Sequence, residues 1–158
     1  MLKKFQMQDY KPIGIPMVIG CNLSNIDDFR NVEQKIYRSM IGSLLYVTTT
    51  RLDVMNAVCQ VDRFQSSPKS SHLLAVKRIL RYLKGATDYG LWYPKGNNLD
   101  LYSFIDADWV GCVDDRKSTS GASFYLGGCL VSWSSKKQSS ISLSTGEVEY
   151  VVATNGCK

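Results

Sequence analysis

The spacing of apolar residues changes character at Gly85, and that change limits the chain to a mixed architecture. Upstream, Tyr37, Met40, Ile41, Leu44, Leu45 and Val47 recur at helical spacing, which gives a helix one buried face ending near Thr48 to Thr50. The spacing returns in Val54, Ala57, Val58, Val61 and Phe64, and again in Leu73, Val76, Ile79, Leu80 and Leu83. Downstream the period falls towards two in residues 89–93, 99–108, 121–126 and 129–135, as half-buried strands require. Helices followed by neighbouring strands predict an α+β fold.

Local breakers set the boundaries. Ser66-Ser67-Pro68 closes the second helix and Gly85 stops the third. Pro94-Lys95-Gly96-Asn97-Asn98 reads as a turn, Val113-Asp114-Asp115-Arg116-Lys117-Ser118 as a charged loop, and Gly127-Gly128 as a two-residue hairpin connection. Gly42 lies inside the first helix, costs about 1 kcal/mol against Ala there, and predicts a close helix contact. Residues 1–33 form an irregular leader: Lys11-Pro12-Ile13-Gly14-Ile15-Pro16 opposes both helix and central strand, and Asn22-Leu23-Ser24-Asn25-Ile26-Asp27-Asp28 is loop-like. Nothing in the leader packs by itself, which leaves docking on something else open to it.

Composition narrows the class of protein. With 44% apolar residues among 158, disorder over the whole length is excluded, and there is room for one domain or two small pieces. A formal net charge of +5 permits a nucleic-acid partner. Cys21, Cys59, Cys112, Cys129 and Cys157 form no C-x-x-C pair, which opposes a disulfide framework or zinc ribbon and favours a reducing compartment. They read as buried apolar thiols. His72, the single histidine, excludes any mechanism needing two and reads as a neighbour of a helix cap. No apolar region follows Lys3-Lys4 and no run of ~18 apolar residues occurs. The expectation is an intracellular protein of cytoplasm or nucleus, with no signal peptide and no membrane association.

Three groups of residues carry chemistry. Asp106-Ala107-Asp108-Trp109 closes a strand, and carboxylates two residues apart face the same way, a pairing that suits a hard divalent cation. Ser144-Thr145-Gly146-Glu147 spells a capping box opening the last helix. Glu147 is thereby committed to the cap, whereas Glu149 lies outside that role and is free to point at the sheet. Lys77, Arg78, Arg81 and Lys84 form a basic stripe on the third helix, read either as a solvated face or as a surface lying along a phosphate backbone.

Several long words resemble the copia-type retrotransposon Pol polyproteins abundant in plant genomes. They are Tyr37-Arg38-Ser39-Met40-Ile41-Gly42-Ser43-Leu44-Leu45-Tyr46, Ala75-Val76-Lys77-Arg78-Ile79-Leu80-Arg81-Tyr82-Leu83-Lys84-Gly85 and Asp106-Ala107-Asp108-Trp109. Asp115-Arg116-Lys117-Ser118-Thr119-Ser120-Gly121, Ser132-Trp133-Ser134-Ser135-Lys136-Lys137-Gln138 and Leu143-Ser144-Thr145-Gly146-Glu147-Val148-Glu149-Tyr150 follow in order. The resemblance implies that residues 34–93 are the helical thumb or connection of a reverse transcriptase. It implies that residues 99–158 open a ribonuclease H-like domain, with three antiparallel strands and a first helix. It further implies a metal-dependent nuclease ancestry acting on RNA–DNA hybrid, with Mg²⁺ or Mn²⁺ held by Asp106 and Glu149 and with Asp108 a secondary candidate.

Departures qualify that implication. The family's third metal-binding aspartate, in a word like D-N-x-S-A, is not reached before Lys158, and the polymerase's paired aspartates are absent upstream. Leu52 and Gly146 stand where the family has proline and alanine. The expectation is therefore a remnant of a transposable element that is not catalytically competent alone and self-associates through an open sheet edge. The alternatives are a nuclease completed by a neighbouring polypeptide and a nucleic-acid-binding module using Lys77, Arg78, Arg81 and Lys84. A further alternative follows from Arg78-Ile79-Leu80-Arg81, which spells the R-x-L-R motif of secreted oomycete effectors, although the string lies inside a helical pattern.

Overall fold

A computed structural model describes residues 1–26, 28–96 and 99–156. Asp27, Asn97, Asn98, Cys157 and Lys158 lie outside the described residues, and with them part of the turn expected at 94–98. The chain divides into two compact units, Met1–Gly90 and Leu91–Lys158.

The first unit is helical. Helix α1 (Gln34–Thr48), a single 3₁₀ turn (Leu52–Val54), α2 (Met55–Asp62) and α3 (Ser70–Gly85) follow one another. Tyr37, Met40, Ile41 and Leu44 of α1 are buried against Val54, Ala57, Val58, Val61 and Phe64, and against Val76, Ile79 and Leu80 of α3. These are the stripes that the spacing predicts, with one correction. Leu45 is exposed, because it lies one helical step, about 100°, beyond Leu44 and off the buried face.

Helix α1 ends without glycine. The hydroxyls of Thr48, Thr49 and Thr50 donate to the carbonyls of Leu45, Tyr46 and Val47 at 2.7, 2.8 and 3.2 Å, satisfying the last turn from within. Its first turn reaches across to the chain after α2. There the Gln34 side-chain amide donates to the carbonyls of Gln65 and Ser66 at 3.0 and 2.8 Å.

His72 is fully buried and sits at the start of α3, where the sequence predicts a cap neighbour. The Lys69 backbone N–H donates to its Nδ1 at 3.1 Å. That bond leaves the ring proton on Nε2, which donates to the Ser24 carbonyl at 3.0 Å, while the ring stacks on Phe64 with centroids 3.8 Å apart. A single neutral imidazole therefore joins the leader, the end of α2 and the cap of α3.

The leader is irregular, as expected, and it docks on the helices of its own unit. Met7 is buried in the core and Leu2, Phe5, Ile13, Met17 and Leu23 pack against it. The close approach explains Gly85. A Cβ there would stand 2.9 Å from the Cβ of Pro12, so the glycine clears the leader's path as well as ending the helix. Gly42 is the reverse case and corrects the expectation of a close contact. It is exposed, and a Cβ built on it meets nothing within 4 Å.

The second unit is a three-stranded antiparallel sheet, order β1 (Leu101–Asp108), β2 (Thr119–Leu126), β3 (Cys129–Lys137), followed by α4 (Thr145–Gly156) packed against β1. Leu126 pairs with Cys129 across the Gly127-Gly128 loop. Both glycines have positive φ, 59° and 82°, the twist that a two-residue hairpin needs. Register shifts between Phe124 and Tyr125 on the β2–β3 side, a local bulge. The strand expected at residues 89–93 is absent. That segment is irregular and has no strand partner among the described residues, and an extended segment without a partner has no ladder to join. Of the cysteines, Cys112 alone is buried among the described residues. Cys21, Cys59 and Cys129 are half-buried, and none of the four is joined in a disulfide among the described residues.

Replacing Gly42 by Ala is expected to stabilise the chain by about 1 kcal/mol, since helix propensity improves and no neighbour is disturbed. Denaturant unfolding followed by far-ultraviolet circular dichroism measures this. A loss of stability would mean that an unseen contact occupies that face.

Candidate functional site

Asp106 and Asp108 both lie on exposed β1, yet their surroundings differ. Asp106 pairs in register with Gly121, so no cross-strand side chain crowds its carboxylate, and its Oδ1 accepts the following amide of Ala107 at 2.8 Å. Asp108 pairs with Thr119 and its carboxylate accepts the Thr119 backbone N–H. Gly111 makes room for it: a Cβ at that position would fall 2.0 Å from the Asp108 Oδ2. Asp108 therefore secures the loop between β1 and β2, while Asp106 faces solvent.

Alternation along β1 puts Asp106 on the same sheet face as Tyr102 and Phe104. Tyr102 stacks on its cross-strand partner Tyr125 at 5.3 Å, and Phe104 meets Tyr125 edge-on at 5.6 Å. Glu149 is exposed on α4, next to the buried Val148. Glu147 performs the structural role that its capping position predicts. Its backbone N–H donates to the Ser144 hydroxyl at 3.2 Å, and its Oε2 accepts the Leu143 N–H at 2.7 Å. Because α4 packs on β1, Asp106 and Glu149 are carried by adjoining elements. Among the described residues, no group of three or more His, Cys, Asp and Glu side chains is placed to hold a metal ion.

The basic stripe of α3 is divided in its use. The Arg81 Nε donates to the Lys11 carbonyl at 2.8 Å, and the Lys84 ammonium donates to the carbonyls of Gln8 and Tyr10. Both side chains thereby hold the leader. The Arg78 Nε is buried with no hydrogen-bond partner among the described residues, and Lys77 borders a groove beside α1. Between Arg78 and Arg81, Ile79 and Leu80 are fully buried, so the R-x-L-R string is a core segment of a helix and not an accessible linear motif.

Two polar clusters escape sequence reasoning. In the helical unit, Arg51 makes two hydrogen bonds to the Asp53 carboxylate at 2.8 and 2.6 Å, donates to the Ala86 carbonyl at 2.8 Å, and lies over the Tyr89 ring. The Tyr82 hydroxyl also donates to Asp53 at 2.7 Å. The Arg51 hydrogen bond is the main reason that Asp53 is held below the usual carboxylate range. In the sheet unit, burial would raise Asp115, but hydrogen bonds from Lys137, Cys112 and the Lys117 backbone outweigh it and pull the carboxyl down to about 2. The Lys137–Asp115 ion pair spans 2.6 Å. Its partners are far apart in sequence and join the loop to the end of β3, a pairing that no local pattern encodes.

The chain thus has a three-helix unit and an antiparallel sheet unit, an α+β architecture. It resembles the retrovirus-related Pol polyprotein from transposon RE1 of Arabidopsis thaliana at 41% identity over 98% of its length. The Pol polyprotein from transposon TNT 1-94 of Nicotiana tabacum is 39% identical over 97% of it. This chain spans 11% and 12% of those two polyproteins. A secreted RxLR effector protein of Plasmopara viticola is 43% identical over 73% of this chain and 82% of its own length. No family model matches, and no solved structure matches. The chain belongs to the copia-type retrotransposon Pol family. Among the described residues, no helix is long and apolar enough to cross a membrane.

Asp115 gives a signed pH dependence. Because its folded pKa is depressed, its contribution is complete above the unfolded value of 3.8 and disappears as pH falls through about 2. The pair is partly exposed, so screening limits the contribution to about 1 kcal/mol. Melting of the sheet signal between neutral and acid pH should show this loss, and Lys137→Gln should flatten it over that window. An unchanged acid profile in the variant would show that the pair contributes nothing.

Proposed function

We propose that the sheet unit opens a ribonuclease H-like domain in which Asp106 and Glu149 are the carboxylates directed to a divalent metal, Mg²⁺ or Mn²⁺. The helical unit is then the thumb or connection segment of a reverse transcriptase. The observation that carries this reading is the order of the sheet unit: an antiparallel β1–β2–β3 meander with α4 packed on β1, one carboxylate standing on each of the two adjoining elements. The donor set suits Mg²⁺, which needs only one or two carboxylates when water and substrate phosphate complete its shell. Such a metal supplies an activated water and stabilises the leaving oxygen at a phosphodiester. On this reading the chain is a piece of a retrotransposon polyprotein of RNA–DNA hybrid nuclease ancestry, and by itself it does not cleave. With no group of three or more potential ligand side chains placed to hold a metal among the described residues, metal affinity without nucleic acid should be weak.

The open outer edges of β1 and β3 are the second partner surface, because unpaired strand edges template pairing with another chain. Self-association through them, inside the cell, accompanies the nucleic-acid reading.

Titration with Mn²⁺ tests the metal assignment directly. Amide resonances around Asp106 and around Glu149 should broaden together at the lowest Mn²⁺ concentrations, and Asp106→Asn should remove both effects. Broadening confined to Asp114 and Asp115, or at Asp106 without Glu149, would contradict the pairing.

A further inference from the structure

Charge is shared unequally between the two units. Residues 1–90 carry thirteen Lys and Arg against seven Asp and Glu, whereas residues 91–158 carry six against seven. The chain's positive balance therefore resides in the helical unit. Within that unit, Arg81 and Lys84 of the α3 stripe are engaged by leader carbonyls, whereas Lys77 of the same stripe borders a groove together with cations of other elements.

A groove of about 650 Å³ opens where the leader, α1 and α3 meet. Its walls are predominantly apolar, with Ile36 and Leu73 among them, and Lys4, Lys35 and Lys77 stand around it, one from each element. Glu33 is the single carboxylate of the lining among the described residues. The Lys4 ammonium is held 5.2 Å from the centroid of the half-buried Phe5 ring, which also lines the groove. That cation–π contact orients one amine in advance. Three ammonium groups against one carboxylate, around an apolar floor, match a polyanion that has apolar faces.

We infer that this groove is a binding site for single-stranded nucleic acid, with Lys4, Lys35 and Lys77 taking backbone phosphates while sugar and base faces lie on Ile36 and Leu73. A single strand combines regularly spaced phosphates with exposed base faces, the two properties the groove addresses. Its size is that of a site enclosing a small ligand, which suits a strand lying along it and not the body of a duplex. The inference shares with the proposed function only the expectation of a nucleic-acid partner. It needs neither Asp106 nor Glu149, nor any metal.

Fluorescence anisotropy of the full chain with a labelled oligo(dT), in chelator and across a range of salt, tests it. With three phosphate contacts the plot of log affinity against log salt should have a slope near about −2, since each contact on a single strand contributes about −0.7. Lys35→Gln combined with Lys77→Gln should lower affinity at least about fivefold and reduce the slope by about 1.4. Lys95→Gln combined with Lys136→Gln, in the sheet unit, should leave both unchanged. An unaltered slope in the first variant, equal or tighter binding of duplex DNA, or polyglutamate binding as tightly as oligo(dT) would overturn the assignment. The last result would make the groove an acidic-peptide site. Omitting divalent metal keeps the outcome separate from the Mn²⁺ titration, so either reading can fail alone.

Discussion

The packing of α1 is the interaction on which the helical unit depends. Tyr37, Ile41 and Leu44 are fully buried, and the Tyr37 hydroxyl donates to the Val61 carbonyl at 2.7 Å, which ties α1 to α2. Burial of that phenol, with the nearby Asp62 carboxylate, holds its pKa well above the ordinary tyrosine value, so the hydroxyl stays a donor across the accessible pH range. Each large apolar side chain removed from water contributes about 1.5–3 kcal/mol. The stripes of three helices and Met7 of the leader converge on one core, and burial therefore outweighs the entropy of ordering a chain with little regular structure before Gln34.

The sheet unit has no comparable core. Its buried apolar residues among the described set are Cys112, Val148 and Val152, while Leu101, Phe104, Ile105 and Val131 are exposed. What orders it is largely polar: ladder hydrogen bonds, the Lys137–Asp115 pair, and Gln138. The Gln138 backbone N–H donates to the Ser118 carbonyl at 2.8 Å and its side chain to the Ser120 hydroxyl at 3.0 Å. Hydrogen bonds exchange with water and contribute modestly in net terms, and a three-stranded sheet needs a covered apolar face for independent stability. The candidate metal carboxylates thus stand on the less stabilised part of the molecule, where added cover or a bound partner would have the largest effect.

How much of this was legible in the sequence follows from the kind of interaction involved. The three helix stripes were readable because each is buried on one side, and the Gly127-Gly128 hairpin because its backbone admits few residues. Features that depend on distant neighbours were not readable. The helical pattern marks Gly42 for a close contact and Gly85 only for a helix stop, yet Gly42 faces solvent and Gly85 clears Pro12. Residues 89–93 have strand composition but no strand partner among the described residues. Arg81 and Lys84 look like a nucleic-acid stripe, and only the position of an aperiodic leader reveals that they hold its carbonyls. The motif words singled out Asp106 and Glu149 as residues, without their geometry. The different environment of Asp108 emerges from Gly111 and Thr119, neither of which the carboxylate spacing brings in.

The two units are therefore unequal: a helical unit held by a shared apolar core, and a sheet unit held mainly by its own hydrogen bonds. Native-state hydrogen exchange resolved by residue measures this difference most directly, since protection reports the free energy of each local opening. Amides of α1 and α3, from Tyr37 to Leu44 and from Val76 to Leu80, should exchange at least about a hundredfold more slowly than those of β1, β2 and β3. Equal protection of the two units, or slower exchange in the sheet, would contradict the account.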